Sequence, residues 1–182
     1  MTVSAGTYQL GPAAGRLSIR TSRAGLAARA GHDLLIEVTH WSAVITVPAD
    51  DDLVATTVTI ELDLDSLTVR EGAGGAKPLS DRDRADIGRT MRKILGGGSA
   101  SFSSTRVIPS AIGGAIEGSL TMNERTRPVR FQVRAPGPGR YRGSATVAQT
   151  AFGITPYSGF FGALKLKDEV AVEVDVDLAK AA

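Results

Sequence analysis

Cysteine is absent from the 182 residues of this sequence, and only 5% of them are aromatic. The absence of cysteine excludes disulfides, thiolate nucleophiles and cysteine metal sites. Basic and acidic side chains nearly balance, at 21 and 19, so that the net charge is only +2. A charge this small, carried by scattered residues, does not indicate a nucleic acid or an anionic membrane as the partner.

Long hydrophobic runs are also missing. No stretch approaches the roughly 20 apolar residues of a membrane-spanning helix, and Met1–Pro12 lacks both the basic region and the apolar run of a secretory signal. The sequence therefore predicts a soluble, cytoplasmic protein without an integral membrane segment. Hydrophobic residues still form 42% of the chain, an ordinary value for a globular protein, and the length fits one domain over residues 1–182.

Alternation of apolar and polar residues is the strongest pattern in the chain, and Ala55–Leu64 is its clearest example. Val58 and Ile60 share one face of this stretch, whereas Glu61 and the neighbouring threonines share the other. A strand places successive side chains on opposite faces, so the pattern predicts half-buried strands. The other stretches that read as strands are Arg16–Ser22, Leu34–Val47, Ser101–Val107, Ala115–Met122, Val129–Arg134, Tyr141–Gln149, Ala163–Leu166 and Val170–Leu178.

Turn signals separate these strands. The apolar positions within Leu34–Val47 change parity, which predicts a β-bulge or a tight turn near His40–Ser42. Gly113 and Gly114 predict a hairpin turn, and Pro48–Asp52, Asn123–Arg127 and Pro136–Gly139 predict further turns.

One segment, Ser80–Leu95, has helical rather than strand periodicity. Ile87, Met91 and the apolar pair at its end recur at helical spacing. Ser80 is suited to cap the helix, and glycines that follow residue 95 are suited to end it. The chain is therefore expected to be all-β with one helical insertion at about residues 80–95, preceded by a glycine-rich connection, Gly72–Ala76.

About eight to ten strands at these spacings are typical of an antiparallel barrel or sandwich. Closure removes the aggregation-prone edges of a sheet, and a barrel of about eight strands either fills its interior or holds one small ligand. Because aromatics are scarce and the inward residues are mostly aliphatic, we expect room for an apolar chain, which gains about 0.8 kcal/mol per buried methylene. A filled barrel acting as an interaction or stress-response scaffold is the alternative.

Four stretches carry a resemblance to a known family. They are Val58–Leu67, Ala100–Ser104, the hairpin formed by Gly118–Asn123 and Thr126–Val129, and Phe152–Ile154 with the last strand. On these residues the chain resembles the YceI family, polyisoprenoid-binding proteins with a lipocalin-like barrel. The resemblance implies a closed, eight-stranded antiparallel barrel that binds an apolar-tailed lipid, a polyisoprenoid or an isoprenoid quinone, for transport, storage or buffering. It implies no other cofactor.

The departures from the family pattern lie around the helix. Arg82-Asp83 is followed by Arg84-Ala85 where the family has His-Leu, Gly96–Gly98 replaces a Phe-Leu-Asp-like motif, and Gly72–Lys77 is an insertion. Many members of the family carry a signal peptide, which this sequence lacks.

Strand parity and the resemblance together predict a set of ligand-contacting residues. His32, in a Gly-His pair like that of some relatives, is a candidate contact to a lipid head group. Met91 and Ile94 on the helix, with Phe152 and Phe160, are expected to close the mouth of the barrel. The remaining predicted cavity residues are Leu34, Ile36, Ile45, Val58, Ile60, Phe102, Leu120, Phe131 and Leu164.

Catalytic and metal sites are less well supported. His32 and His40 lack the spacing of a metal-binding motif, and a third ligand is not evident. No G-x-S-x-G elbow accompanies the histidines, so we predict neither a catalytic residue nor a metal site; a lipid-modifying enzyme is the weakest alternative. Gly159–Gly162, with its adjacent phenylalanines, is a candidate for a hydrophobic lid or for the contact of a homodimer.

Overall fold

The computed structural model describes residues 3–49 and 52–181. Within them the chain is all-β with one helix, as predicted. The helix α1 spans Asp81–Leu95, and the strands are β1 Gly6–Leu10, β2 Gly15–Arg20, β3 Arg23–Ala24, β4 Asp33–Val38, β5 Trp41–Val47, β6 Thr57–Asp63, β7 Leu67–Ala73, β8 Ser99–Ser110, β9 Gly113–Met122, β10 Arg125–Gly137, β11 Arg140–Ala148, β12 Ser158–Gly159, β13 Leu164–Leu166 and β14 Glu169–Asp177.

Eleven of these strands form one strongly curled antiparallel sheet, in the order β1-β5-β6-β8-β9-β10-β11-β14-β2-β4-β7. The three short strands β12, β13 and β3 form a separate small sheet. Side chains from both ends of the main order, such as Leu10 of β1 and Val69 of β7, belong to the same hydrophobic cluster. The sheet therefore curls around a common interior.

Three pairs of consecutive strands are joined by short corners rather than by hairpins. The corners are residues 11–14 between β1 and β2, 39–40 between β4 and β5, and 64–66 between β6 and β7. The two strands of each pair are not paired with each other but lie in different parts of the sheet order. The corner at residues 39–40 explains the parity change predicted within Leu34–Val47, because it resets which residues face the interior.

The expected hairpin turn at Gly113-Gly114 lies two residues earlier. Ala111 and Ile112 form the turn, and both glycines belong to β9. A side chain on Gly113 would collide with the carbonyl of Val133, and one on Gly114 with the carbonyl of Ile108. These glycines therefore allow β9 to approach both of its neighbouring strands closely, which a turn-based interpretation of the sequence misses.

The helix has the caps that the sequence predicted. The Ser80 hydroxyl accepts a hydrogen bond from the Asp83 backbone N–H, while the Ser80 backbone N–H donates to the Asp83 carboxylate at 2.9 Å, a capping box. Gly96 ends the helix in the left-handed conformation. Ile87, Met91 and Leu95 pack against the interior. No helix among the described residues is long and apolar enough to cross a membrane.

The curled sheet has two ends, which differ in what covers them. The helix end carries α1, the β9–β10 turn and the small sheet of β3, β12 and β13. The open end carries the β8–β9 and β10–β11 turns and residues 52–56. β8 runs from one end to the other, because it starts directly after α1 and finishes at the β8–β9 turn.

Candidate functional site

An apolar cavity of about 150 Å³ lies inside the open end of the sheet. Nearly all of the surface that faces it consists of carbon atoms. Strands β1, β2, β5, β6, β8, β9, β10, β11 and β14 all contribute to its wall. The cavity therefore suits hydrocarbon and offers almost nothing to a sugar, a nucleotide or an ion.

The residues that line the cavity extend along much of the length of β5. Trp41, Ala43, Ile45 and Val47, the inward residues of β5, all line it. Six residue steps along a strand cover about 20 Å at roughly 3.3 Å per residue. Trp41 marks the inner part, and Val47 lies beside the residues of the open end. A lining that follows the strand over this distance is suited to an extended chain.

Small residues make the space. Gly143 of β11 faces the cavity, and a Cβ placed on it would lie 3.6 Å from the Phe131 ring and 3.9 Å from the Val174 side chain. Those are ordinary contact distances, so the missing side chain leaves usable volume. The rings of Phe131 and Phe102 meet edge to face at 5.3 Å between their centroids and form part of the wall.

Few polar atoms occur in the cavity wall, and their environments are unfavourable to charge. The indole Nε1 of Trp41 and the hydroxyl of Thr56 are buried and have no hydrogen-bond partner among the described residues. Burial, and to a lesser degree the neighbouring Tyr8, raises the pKa of the Tyr141 phenol, which keeps it neutral. The described part of the wall thus presents no charged group to a ligand.

Comparison with known proteins agrees with this fold. The model of the YceI-like domain matches residues 8–178. The chain belongs to the YceI-like family. Among solved structures, BcnA of Burkholderia cenocepacia is 14% identical with a TM-score of 0.61, over 89% of this chain and 94% of that one. A mutant CJ YCEI protein, made for nanotechnology applications, is 10% identical with a TM-score of 0.51, over 78% of this chain and 82% of that one. No curated protein matches the chain.

The predicted site residues of this YceI-like chain divide between two places. Ile45, Val58, Ile60, Phe102 and Phe131 line the cavity. Their contact with a ligand stays a prediction, but their inward orientation and their level along the sheet are those of a cavity wall.

The remaining predicted residues lie away from the cavity. The buried side chains form two hydrophobic clusters: a larger one that contains Leu34 and Ile36, and a second one that contains Phe152, while Leu120 packs against both. Leu164 is a buried residue of the small sheet and lies beside Gly31. Alternation identifies the inward face of a strand but carries no information on how far along the barrel each residue lies, and these residues lie at the helix end.

The four residues expected to close the mouth of the barrel lie away from the cavity. Met91 and Ile94 belong to α1, which directly precedes β8, whereas the cavity is lined by Val107–Pro109 near the other end of β8. The helix α1 therefore covers the end opposite to these residues. Phe160 is 65% exposed and does not line the cavity. The sequence located the helix but could not determine which end of the sheet it covers, since that depends on the path of the connections.

His32 has a local structural contact. Its Nε2 lies 2.6 Å from the Lys77 carbonyl oxygen, and Gly75 packs so closely against the ring that no side chain fits there. These contacts join the residue before β4 to the segment that precedes α1. His40 is exposed and lies 3.7 Å from Asp63. Within the described residues no group of three or more His, Cys, Asp or Glu side chains could hold a metal.

Several cavity residues were missed by sequence reasoning. Trp41, Gly143 and the stretch Val107–Pro109 all line the cavity. A glycine within a strand indicates close approach of another group, so Gly143 could have been found from its position in the Tyr141–Gln149 pattern. Trp41 carried no such signal, because it lies beside the corner where the parity of the inward face changes.

Proposed function

We propose that this YceI-like protein binds the apolar tail of a single lipid, a polyisoprenoid or an isoprenoid quinone, inside the cavity of a closed barrel, for transport, storage or buffering. The observation that carries the proposal is the cavity whose wall is almost wholly carbon. Membership of the YceI-like family supports lipid binding at the level of the family.

Strand pairing supports closure of the barrel. If each pair of strands joined at a corner is counted as one bent strand, the sheet has eight strands. The pairing then returns to its start: β14 pairs with β2, β2 with β4 and β4 with β7, and β7 continues into β6, which pairs with β8. A cyclic path of this kind has no free edge.

The size of the cavity limits how much of a tail it holds at once. An apolar cavity of about 150 Å³ in another protein stays dry and accepts benzene, a ligand of six carbons. Six carbons gain about 5 kcal/mol at roughly 0.8 kcal/mol each, which is close to millimolar affinity before the costs of association. Tight binding therefore requires more carbons, and we infer that the tail extends through the open end and that side chains there move aside to admit it.

Filling the cavity from its wall tests this proposal. Gly143→Leu points a side chain between Phe131 and Val174, and Ser144→Leu, on the exposed outer face of the same strand, is the matched control. Binding of farnesol, followed by calorimetry, should weaken at least about tenfold in Gly143→Leu, because its side chain displaces ligand carbons, and should be unchanged in Ser144→Leu. Mass spectrometry of organic extracts of the purified protein should identify a lipid.

The outcomes separate the candidate functions. A folded Gly143→Leu variant that binds farnesol like the wild type would place the ligand elsewhere. Absence of lipid from the extracts, together with no farnesol binding by the wild type, would favour the ligand-free scaffold.

A further inference from the structure

The small sheet at the helix end presents the most apolar exposed surface of the described residues. Phe161 is 112% exposed, Leu26 102% and Phe160 65%, and Tyr157 is also on the surface. We call these four residues the apolar tip. Leu26 is next to Ala27, whose backbone N–H donates to the Ala163 carbonyl at 2.9 Å, so the two segments that carry the tip are joined directly.

The backbone of the tip is strained. Phe160 and Phe161 have φ angles of 48° and 54°, a region that bulky residues rarely adopt. Glycine or asparagine would accept the same conformation more easily. Phe161 is fully exposed and Phe160 mostly so, so burial in the fold compensates little for this strained conformation. Strain of this kind, held by surrounding structure, is commonly found at functional segments.

Basic residues surround the tip. Arg29, Lys165 and Lys167 are exposed, and no ion pair is formed by them in the part of the chain that the structure describes. Of the nearby acids, Asp33 accepts from the Arg23 backbone N–H and Asp168 from the Thr150 hydroxyl, and Glu169 is exposed. Three basic side chains that form no ion pair among the described residues therefore lie beside the apolar tip.

Exposed aromatic and aliphatic side chains beside cations are the combination that binds the interface of an anionic bilayer. We propose that the apolar tip docks the protein on anionic lipid surfaces, with Phe160, Phe161 and Leu26 entering the headgroup region and the lysines contacting lipid phosphates. The proposal does not depend on what the cavity holds. It orients the molecule with its open end away from the bilayer.

Vesicle binding tests the proposal. The wild type should co-sediment with vesicles of phosphatidylcholine and phosphatidylglycerol, more weakly with phosphatidylcholine alone, and less as salt is raised. The double variant Phe160→Asn/Phe161→Asn, which suits the left-handed backbone, should fold and bind at least about tenfold more weakly. Lys165→Gln and Lys167→Gln should each weaken binding about fivefold on the anionic vesicles.

The control is Ile112→Asn, which removes a residue that is 79% exposed in the β8–β9 turn at the open end. It should bind anionic vesicles like the wild type. Failure of the wild type to bind, or unchanged binding by the Phe160→Asn/Phe161→Asn variant, would overturn the proposal. Loss of binding in Ile112→Asn would show instead that the open end faces the bilayer. Self-association that the Phe160→Asn/Phe161→Asn change abolishes, without vesicle binding, would identify a second copy as the occupant.

Discussion

The two ends of the curled sheet are built from the same strands and the same alternating pattern, yet the cavity lies at only one of them. At the helix end, side chains such as Phe152 and Ile154 are at most 4% exposed and do not border the cavity. At the open end, buried residues such as Val47 and half-buried ones such as Phe131 and Val174 all border it. The difference comes from what covers each end and from where the small residues lie, since strand periodicity is the same at both.

Truncating a phenylalanine should cost more unfolding free energy at the helix end than at the open end. Phe152→Ala removes a ring of the second cluster that is only 2% exposed. The change should lower the free energy of unfolding by about 3–5 kcal/mol. Phe131→Ala should cost clearly less, because part of that ring already borders empty space. Urea denaturation of both variants measures the contrast, and equal losses would mean that the open end is packed as tightly as the helix end.

Adding volume should have opposite effects at two positions of β11. Ala145 is buried in the second cluster and does not border the cavity, so Ala145→Leu should destabilise the protein by about 1–3 kcal/mol through overpacking. Gly143→Ala, two residues earlier, should stabilise it by about 0.4–1 kcal/mol, because its φ is compatible with a side chain and the space is free. Thermal unfolding of the two variants shows whether each change raises or lowers stability. Destabilisation by Gly143→Ala would contradict the presence of free space at the open end.

Acid and alkali should affect different ends. Hydrogen bonds from Ser80 and Thr150 lower the pKa values of Asp83 and Asp168 from the ordinary 3.8, and both lie at the helix end. Their stabilisation is complete above that value and is lost as the pH falls below it. Burial raises the pKa of Tyr141 above its ordinary 10.0, so its stabilisation is lost as the pH rises past that value.

Hydrogen exchange should therefore show earlier opening of α1 and the segment around residue 150 in acid, and of the open end in alkali. The Asp83→Asn variant should reduce the acid effect on α1. Opening of both ends together at either extreme would mean that they unfold as one unit.

The sequence predicted the class of fold, the helix and its caps, and most strands, because these depend on local periodicity and capping. It also predicted an apolar interior, and Ile45, Val58, Ile60, Phe102 and Phe131 do line the cavity. It could not predict that α1 covers the far end, or that Leu34 and Phe152 lie there, because their level along the barrel depends on pairing between distant strands. The prediction of a turn at Gly113 and Gly114 was wrong. Both glycines lie in β9, where they allow neighbouring strands to come close, and such contacts between distant segments cannot be seen in local sequence.

Trp41 is the only tryptophan in the chain, and it lies in the cavity wall. Its emission is therefore a label for the interior that requires no chemical modification and has no background from other indoles. A quinone ring that came near it would accept an electron from the excited indole and quench the emission. A polyprenol has no such acceptor and would leave the intensity largely unchanged. A single optical titration with each lipid would then distinguish the two candidate ligand classes.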